Sequence, residues 1–397
     1  MVKKERPRII NKTVLTKMLP QSYQACFQNQ LKATQYVTLQ ILVGLLQFYK
    51  QVSIELLATL MPEPILFESR RRSLQRFLVV PQLNIKSLWF PVVKHFLRNH
   101  FKKTRTLTLA IDRTQWRNRN LFVVSLIWDQ RAIPIYWLIL SKQGASNLRE
   151  QQALLKPVFQ LLKNYKIILL GDREFGSVGL ANWLKQKSVY FCLRQKQGQY
   201  IQPSGSEFKR LESLGLAPGI SCYLEDVKVT KQKGFNQFNI AAKWKRGYRQ
   251  AAPKEGWYIL TNMESEKAAV KAYKSRGGIE AMFKDCKTGG YNLEGTHASE
   301  ERLINLVLLI ALAYICALVQ GRKIKQKKVH QYVGRVKESH RRYRRHSTFW
   351  VGLYGELWLS SLELCPDLVA QLMQLKPNKR TSFQRGQRAL QLIQSAL

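Results

Sequence analysis

KIILLGDREFGS, residues 166–177, is the stretch whose reading decides the fold. Ile167 to Leu170 make a short apolar run with no polar alternation, the pattern of a strand covered on both faces, and the run stops at Gly171-Asp172. A carboxylate therefore stands at the carboxyl end of a buried strand. Upstream, TLTLAID (106–112) is a short β-rich run that also stops on an acid, Asp112. Between the two lie LFVVSLIW (121–128) and IPIYWLIL (133–140), short β-rich runs bounded by polar or turn residues, and then helical spacing from about 147 to 165. Downstream, helical spacing near 178–186 precedes another strand, VYFCLR (189–194). The first three strands are expected to pair as a meander, and in a mixed sheet the first and fourth can be neighbours.

Three strands, helix, strand, helix, strand is the order of an RNase H-like core, an order that other mixed folds share. The fold class read here is α/β, an RNase H-like mixed sheet flanked by helices. Residues 195–258 turn polar, with glycine-rich turns and alternating runs such as SCYLEDVKVT (221–230) and FNQFNIAAKW (235–244), which read as a β-rich insertion. Helical sequence resumes near Glu266 and passes Glu280 toward Lys287. At the amino end, helical spacing from about Thr13 to Phe101 breaks at Met61-Pro62-Glu63-Pro64 and at Val80-Pro81. These shifts divide the chain into a helical region over 1–103, a mixed domain over 104–320 and a basic helical region over 321–397.

Lysine and arginine total 65 against 25 acidic residues, a net charge of +40. A surface so positive repels itself unless a polyanion neutralises it, and nucleic acid does so through release of condensed counterions. The cations are scattered among aromatics and not gathered beside a lipid-seeking helix, which disfavours a membrane surface. VSIELLATLM (52–61) and LFESRRRSLQRFL (66–78) read as two tightly joined helices. The second, carrying Arg70, Arg71, Arg72 and Arg76, is either a DNA-binding helix or a solvated basic face. The six cysteines form no CxxC pair, so neither zinc nor a disulfide framework is indicated, and a reducing cytosol fits. The first twenty residues, MVKKERPRIINKTVLTKMLP, lack the apolar run of a signal peptide. LINLVLLIALAYICALV (303–319) is at the short edge of a membrane span and contains Asn305, so it reads as a buried core helix.

Two strand-end aspartates within reach of each other offer hard oxygen ligands to Mg²⁺ or Mn²⁺, the chemistry of two-ion phosphodiester cleavage. Either alone is equally a helix cap or the start of a turn. On a continuous helix Tyr273, Arg276, Glu280 and Lys287, spaced by three, four and seven, fall within roughly a 60° arc at about 100° per residue. Such a face carries a third carboxylate beside phosphate-holding cations and a phenol, or it is an exposed helix laced with ion pairs.

These residues reach a resemblance. YKSRGGIEAMFKDCK (273–287) resembles the Tyr-x2-Arg-x3-Glu-x6-Lys signature of DDE transposases of the bacterial insertion-sequence-four type, and AIDRTQW (110–116) and GDREFGS (171–177) resemble that family's first and second acidic motifs. The motifs occur in the family's order between about Leu107 and Val319. The resemblance implies a catalytic triad of Asp112, Asp172 and Glu280 binding two Mg²⁺ ions, with Mn²⁺ able to substitute. It implies that Arg276 and Lys287 contact the DNA backbone near the cut, with Tyr273 beside them. WYILT (257–261) places Trp257 where relatives stack a tryptophan on a flipped base, an interaction worth about 1–3 kcal/mol. Two departures stand out: Gly277-Gly278 stands where the family usually has at least one large residue, each glycine costing about 0.5–1 kcal/mol inside a helix, and the Trp257 to Tyr273 distance is shorter than in the relatives.

The activity so implied is cut-and-paste transposition. Such an enzyme would bind the terminal inverted repeats of its element as a homodimer on paired ends. It would free a 3′ hydroxyl by metal-assisted hydrolysis, which can then form a hairpin, and would join the ends to target DNA, in a bacterial cytoplasm beside the nucleoid. The alternatives are a decayed copy that grips DNA ends without cutting, and an RNase H-like nuclease without strand transfer. Arg173 and Glu174 either orient Asp172 or open the next helix. His297 lacks a partner at zinc-binding spacing and reads as a loop or capping residue. No Walker loop, GxGxxG or covalent nucleophile constellation is present.

Overall fold

A computed structural model of the chain describes residues 19–231, 237–246, 255–335, 339 and 345–396. The amino-terminal stretch up to residue 18, parts of the insertion (232–236 and 247–254) and part of the basic 322–345 run (336–338 and 340–344) lie outside the described residues. The chain forms two compact units, one of 93–284 and one of 1–92 with 285–397.

The discontinuous unit begins with helices α1 (Gln21–Gln28), α2 (Ala33–Tyr49), α3 (Ile54–Leu60) and α4 (Phe67–Phe77), the last two separated by the proline-containing break read from the sequence. Helix α5 (Phe90–His100) leads into the second unit, where Phe96 meets Trp128 edge-on with ring centroids 4.9 Å apart.

That second unit is built on a ten-stranded sheet. Its strands are β1 (Leu107–Trp116), β2 (Arg119–Trp128), β3 (Arg131–Ile139), β4 (Ile167–Gly171), β5 (Tyr190–Arg194), β6 (Tyr200–Gln202), β7 (Lys209–Arg210), β8 (Ser221–Val229), β9 (Gln237–Lys243) and β10 (Trp257–Thr261). The spatial order is β3-β2-β1-β4-β5-β10-β9-β8-β6-β7. The antiparallel meander β1-β2-β3 and the parallel β1-β4-β5 core follow the sequence reading. Parallel strands need crossovers, which α6 (Leu148–Leu161) and α7 (Val178–Gln186) supply. Asn147 starts α6 with a capping box, its side chain accepting from the Glu150 amide while the Glu150 carboxylate accepts from the Asn147 amide. The β-rich insertion is no separate sheet. Strand β10 pairs with β5 and β9, so the insertion extends the central sheet on its far side.

Helices α8 (Glu266–Lys274) and α9 (Gly277–Cys286) follow. Back in the discontinuous unit, α10 (Glu300–Gln326) is the one unbroken helix among the described residues long and apolar enough to cross a membrane, and 89% of its most apolar window is buried. Its Asn305 amide donates to the Leu78 carbonyl at 2.8 Å, so the polar group inside this apolar run is satisfied. Helices α11 (Thr348–Leu364), α12 (Pro366–Gln374) and α13 (Arg380–Gln394) complete the unit.

Candidate active site

The parallel β1-β4 ladder ends at Ala110 opposite Leu170, and the two aspartates lie just past it. Asp112 does not close its strand, as the sequence reading had it. Strand β1 continues to Trp116 because the hairpin with β2 keeps pairing, with Asp112 opposite Val123 and Arg113 opposite Phe122. Asp172 caps the 3-10 turn Arg173–Phe175. Each aspartate spends one oxygen locally: Asp112 Oδ1 accepts from the Arg113 amide at 2.8 Å, and Asp172 Oδ1 from the Glu174 amide at 2.9 Å. The other oxygen of each faces the same group, the Arg276 guanidinium, at 3.4 Å from Asp112 and 3.9 Å from Asp172. Glu280, in the first turn of α9, accepts from Arg276 Nη1 at 2.9 Å. One guanidinium thus gathers the three acids proposed from the sequence.

Their environments differ. The Asp112 side chain is 16% exposed, Asp172 34% and Glu280 63%. Burial pushes the Asp112 carboxyl up to about 6; Arg276 and the Arg113 amide oppose that rise, while Asp172 and Glu280 add to it. Burial penalises the charge on Arg276, but Asp112, Tyr273 and Glu280 outweigh it and hold the guanidinium more firmly protonated than usual. Among the described residues no three His, Cys, Asp or Glu side chains already stand at metal-ligand spacing. At this centre the positive charge of Arg276 faces all three carboxylates. Three carboxylates converging on one cation are nevertheless the hard, oxygen-rich donor set that suits Mg²⁺ or Mn²⁺.

The expectation of one continuous helix face is corrected. Helix α8 ends at Lys274 and α9 begins at Gly277; between them Arg276, Gly278 and Ile279 donate to carbonyls three residues back, a tighter turn than the α-helix makes. Ser275 Oγ donates to the Ala272 carbonyl at 2.6 Å and helps close α8. The two glycines therefore open a helix and do not interrupt one. A Cβ on Gly278 would sit 2.9 Å from the Arg131 carbonyl oxygen, so its lack of a side chain lets α9 lie close to the start of β3; one on Gly277 would meet nothing within 4 Å. On this seat Met282 accepts a hydrogen bond from the buried Ser125 of β2.

Tyr273 is buried, with Trp257 edge-on against it at 5.1 Å. Its phenol is made a weaker acid by burial, against the opposing pull of the positive charges of Arg276 and Arg194. Trp257 is partly exposed and lines a small cavity of about 60 Å³ with Lys243, Lys245, Glu255 and Lys274. Lys287 pairs with Glu294 in the discontinuous unit. On α4, Arg71 lies near Glu55 and Glu68, and Arg70 donates to the Glu63 carbonyl; Arg72 and Arg76 line a cleft. His297 lies in a loop.

Sequence reasoning passed over the Arg113–Glu174 pair. Arg113 donates to Glu174 through Nε and Nη2 at 2.9–3.2 Å, and Glu174 also accepts from the Ser146 amide at 2.9 Å and hydroxyl at 3.0 Å. Burial alone would raise the Glu174 carboxyl, but these donors hold it below its ordinary range. The pair ties the residue after Asp112 to the second residue after Asp172. The signal was present in the sequence as an arginine following the first acid and Arg-Glu following the second. Arg173 belongs elsewhere, pairing with Glu255, which also accepts from Arg194 at 2.7 Å.

A family profile described as "Transposase DDE domain" matches residues 103–316, more than half of the chain. No curated protein matches. Among solved structures, the piggyBac transposase synaptic complex with hairpin DNA is similar at 12% identity and a TM-score of 0.40, covering 90% of this chain and 80% of that one.

Proposed function

The chain belongs to the transposase DDE domain family, and from that premise we propose that Asp112, Asp172 and Glu280 are its catalytic acids in cut-and-paste transposition. Members of the family cut and rejoin DNA with divalent metal ions. The observation that carries the residue assignment is the convergence of these three carboxylates on the single Arg276 guanidinium, within the matched residues. Asp112, Asp172 and Glu280 would hold Mg²⁺ or Mn²⁺, which supplies activation of the attacking oxygen and stabilisation of the leaving one. The two aspartates and Glu280 keep the required negative charge fixed within one strand, just past another and at one helix start. In this reading the 3-2-1-4-5 part of the sheet is an RNase H-like core. Arg276, released from the acids, is positioned to engage a phosphate near the cut, with Tyr273 orienting it and Lys287 as a further backbone contact.

The same reading assigns end recognition and backbone affinity to the helical region 1–103, notably α4, and to the basic region 321–397, around the catalytic domain 104–320. Trp257, partly exposed beside Lys243, Lys245 and Lys274, would stack on an unpaired base. The DNA partners are the element's terminal inverted repeats and a target duplex, held by a homodimer in a bacterial cytoplasm beside the nucleoid, with a hairpin intermediate.

The test is cleavage of labelled DNA bearing the element's own ends with Mg²⁺ or Mn²⁺, comparing the native protein with Asp112→Asn and Glu280→Gln. Native cleavage at the terminus, with both variants binding but at least about a thousandfold slower, supports the assignment. Binding without cleavage by the native protein in either metal favours a decayed end-binding copy. Cleavage without hairpin or joined product favours a nuclease.

A further inference from the structure

We infer that the cleft between α4 and the start of α10 is a phosphate-binding site for the backbone of duplex DNA. The cleft has a volume of about 430 Å³ and is lined by Ser69, Arg72, Gln75, Arg76, Val79 and Arg302, all within the discontinuous unit. Three guanidiniums, a hydroxyl and an amide converge there, and no carboxylate is part of the lining.

The arginines of α4 fall into two classes. Arg71 is 3.7 Å from Glu55 and 3.5 Å from Glu68, so its charge is compensated within the fold. Arg70 donates to the Glu63 carbonyl at 3.4 Å. Arg72 and Arg76 have no such neighbours among the described residues, and they stand four apart on one face, with Ser69 one turn before and Val79 one turn after. Like charges at that spacing disfavour a helix by a few tenths of a kcal/mol. Arg302 adds a third cation from another helix, and its Nε is buried without a hydrogen-bond partner among the described residues. Cations brought together at the fold's expense, with an orphan donor among them, are complementary to an anion whose oxygens accept several charge-assisted hydrogen bonds. The open cleft admits a phosphodiester presented by a rigid duplex as well as a free ion. Phosphate contacts of this kind position a protein on DNA without reading sequence.

This inference rests on the proposal that the chain acts on DNA. The experiment measures duplex-DNA affinity of the full chain between 50 and 200 mM salt, for the native protein and for Arg72→Gln, Arg76→Gln, Arg302→Gln, Arg302→Lys and Arg71→Gln. The two exposed sites on α4 guard against misfolding at Arg302. Each loss of charge in the cleft is expected to lower the slope of log affinity against log salt by about 0.9, Arg302→Lys to retain most of it, and Arg71→Gln to change it by less than half as much. If the native protein binds DNA and the Arg72, Arg76 and Arg302 variants keep its slope, the cleft site is overturned while DNA binding stands. If inorganic phosphate protects the native chain against thermal unfolding but not the cleft variants, and DNA slopes are nonetheless unchanged, the cleft takes a free anion and the duplex assignment is overturned. If the native chain binds no duplex at 50 mM salt, the functional reading fails first and the site falls with it.

Discussion

Arg276 and the arginine cleft are two ways of using the same side chain. Arg276 is 13% exposed and faces three carboxylates, so its charge is answered inside the fold and serves to hold geometry. Arg72, Arg76 and Arg302 share a cleft with no carboxylate in its lining. The difference teaches that the net charge of +40 is not uniform excess. Some cations sit among acids within the fold, and others, in the reading proposed here, are left for a polyanion.

Glu356 offers the sharpest test of that contrast, because it is a buried carboxyl with no cation paired to it among the described residues. It lies on α11, its Oε2 has no hydrogen-bond partner among the described residues, and burial pushes its carboxyl up to about 7 although the nearby Gln320 side chain favours the charged form. The folded chain therefore binds this proton more tightly than the unfolded chain. Its stability contribution is full below the ordinary carboxyl range and declines as pH rises toward 7. Glu356→Gln should remove that decline, leaving the variant more stable than the native chain by on the order of 3 kcal/mol at pH 8 and nearly equal to it at pH 4. Urea unfolding at the two pH values measures it; equal differences at both would mean that Glu356 finds a partner in solution.

Arg113→Lys probes the opposite case, a charge fully answered. The Arg113 and Glu174 side chains are 17% and 16% exposed, and a lysine cannot reproduce the forked contact. A loss of about 2 kcal/mol in unfolding free energy is expected, together with slower cleavage at unchanged DNA affinity. Unchanged stability and cleavage would show that the two aspartates are placed without this tie.

A smaller effect separates the two glycines. Gly278→Ala must push the α9 start away from the Arg131 carbonyl and should destabilise by about 1 kcal/mol, loosening the Arg276–Glu280 contact. Gly277→Ala meets open space and should be neutral or stabilise by about 0.5 kcal/mol. Thermal unfolding of both variants checks the pair, and equal shifts would remove the steric account.

What the sequence made legible was what local patterning controls. The β-rich run at 107–111 and the unbroken apolar run at 167–170 marked strands, and the acids after them marked the end of the parallel ladder between the two. What it hid depends on non-local pairing. Nothing in 195–258 says that its strands extend the central sheet, because alternation defines a strand but not its neighbour. The helix break at Ser275 and Arg276 was hidden for a related reason: the glycines read as a penalty within a helix until the nearby Arg131 carbonyl explained one of them. The three acids were readable by motif order. That Arg276 would stand between them was not, since a contact spanning 164 residues leaves no trace in spacing.

The most direct test of the central claim is Mn²⁺ binding to the DNA-free protein, followed by calorimetry and by thermal stabilisation, for the native chain and for Asp112→Asn, Asp172→Asn and Glu280→Gln. If the three carboxylates share divalent ions, the native chain binds and is stabilised, and each variant loses at least about tenfold in affinity. Binding of equal strength in all four proteins would contradict the claim that these acids form one metal-dependent centre.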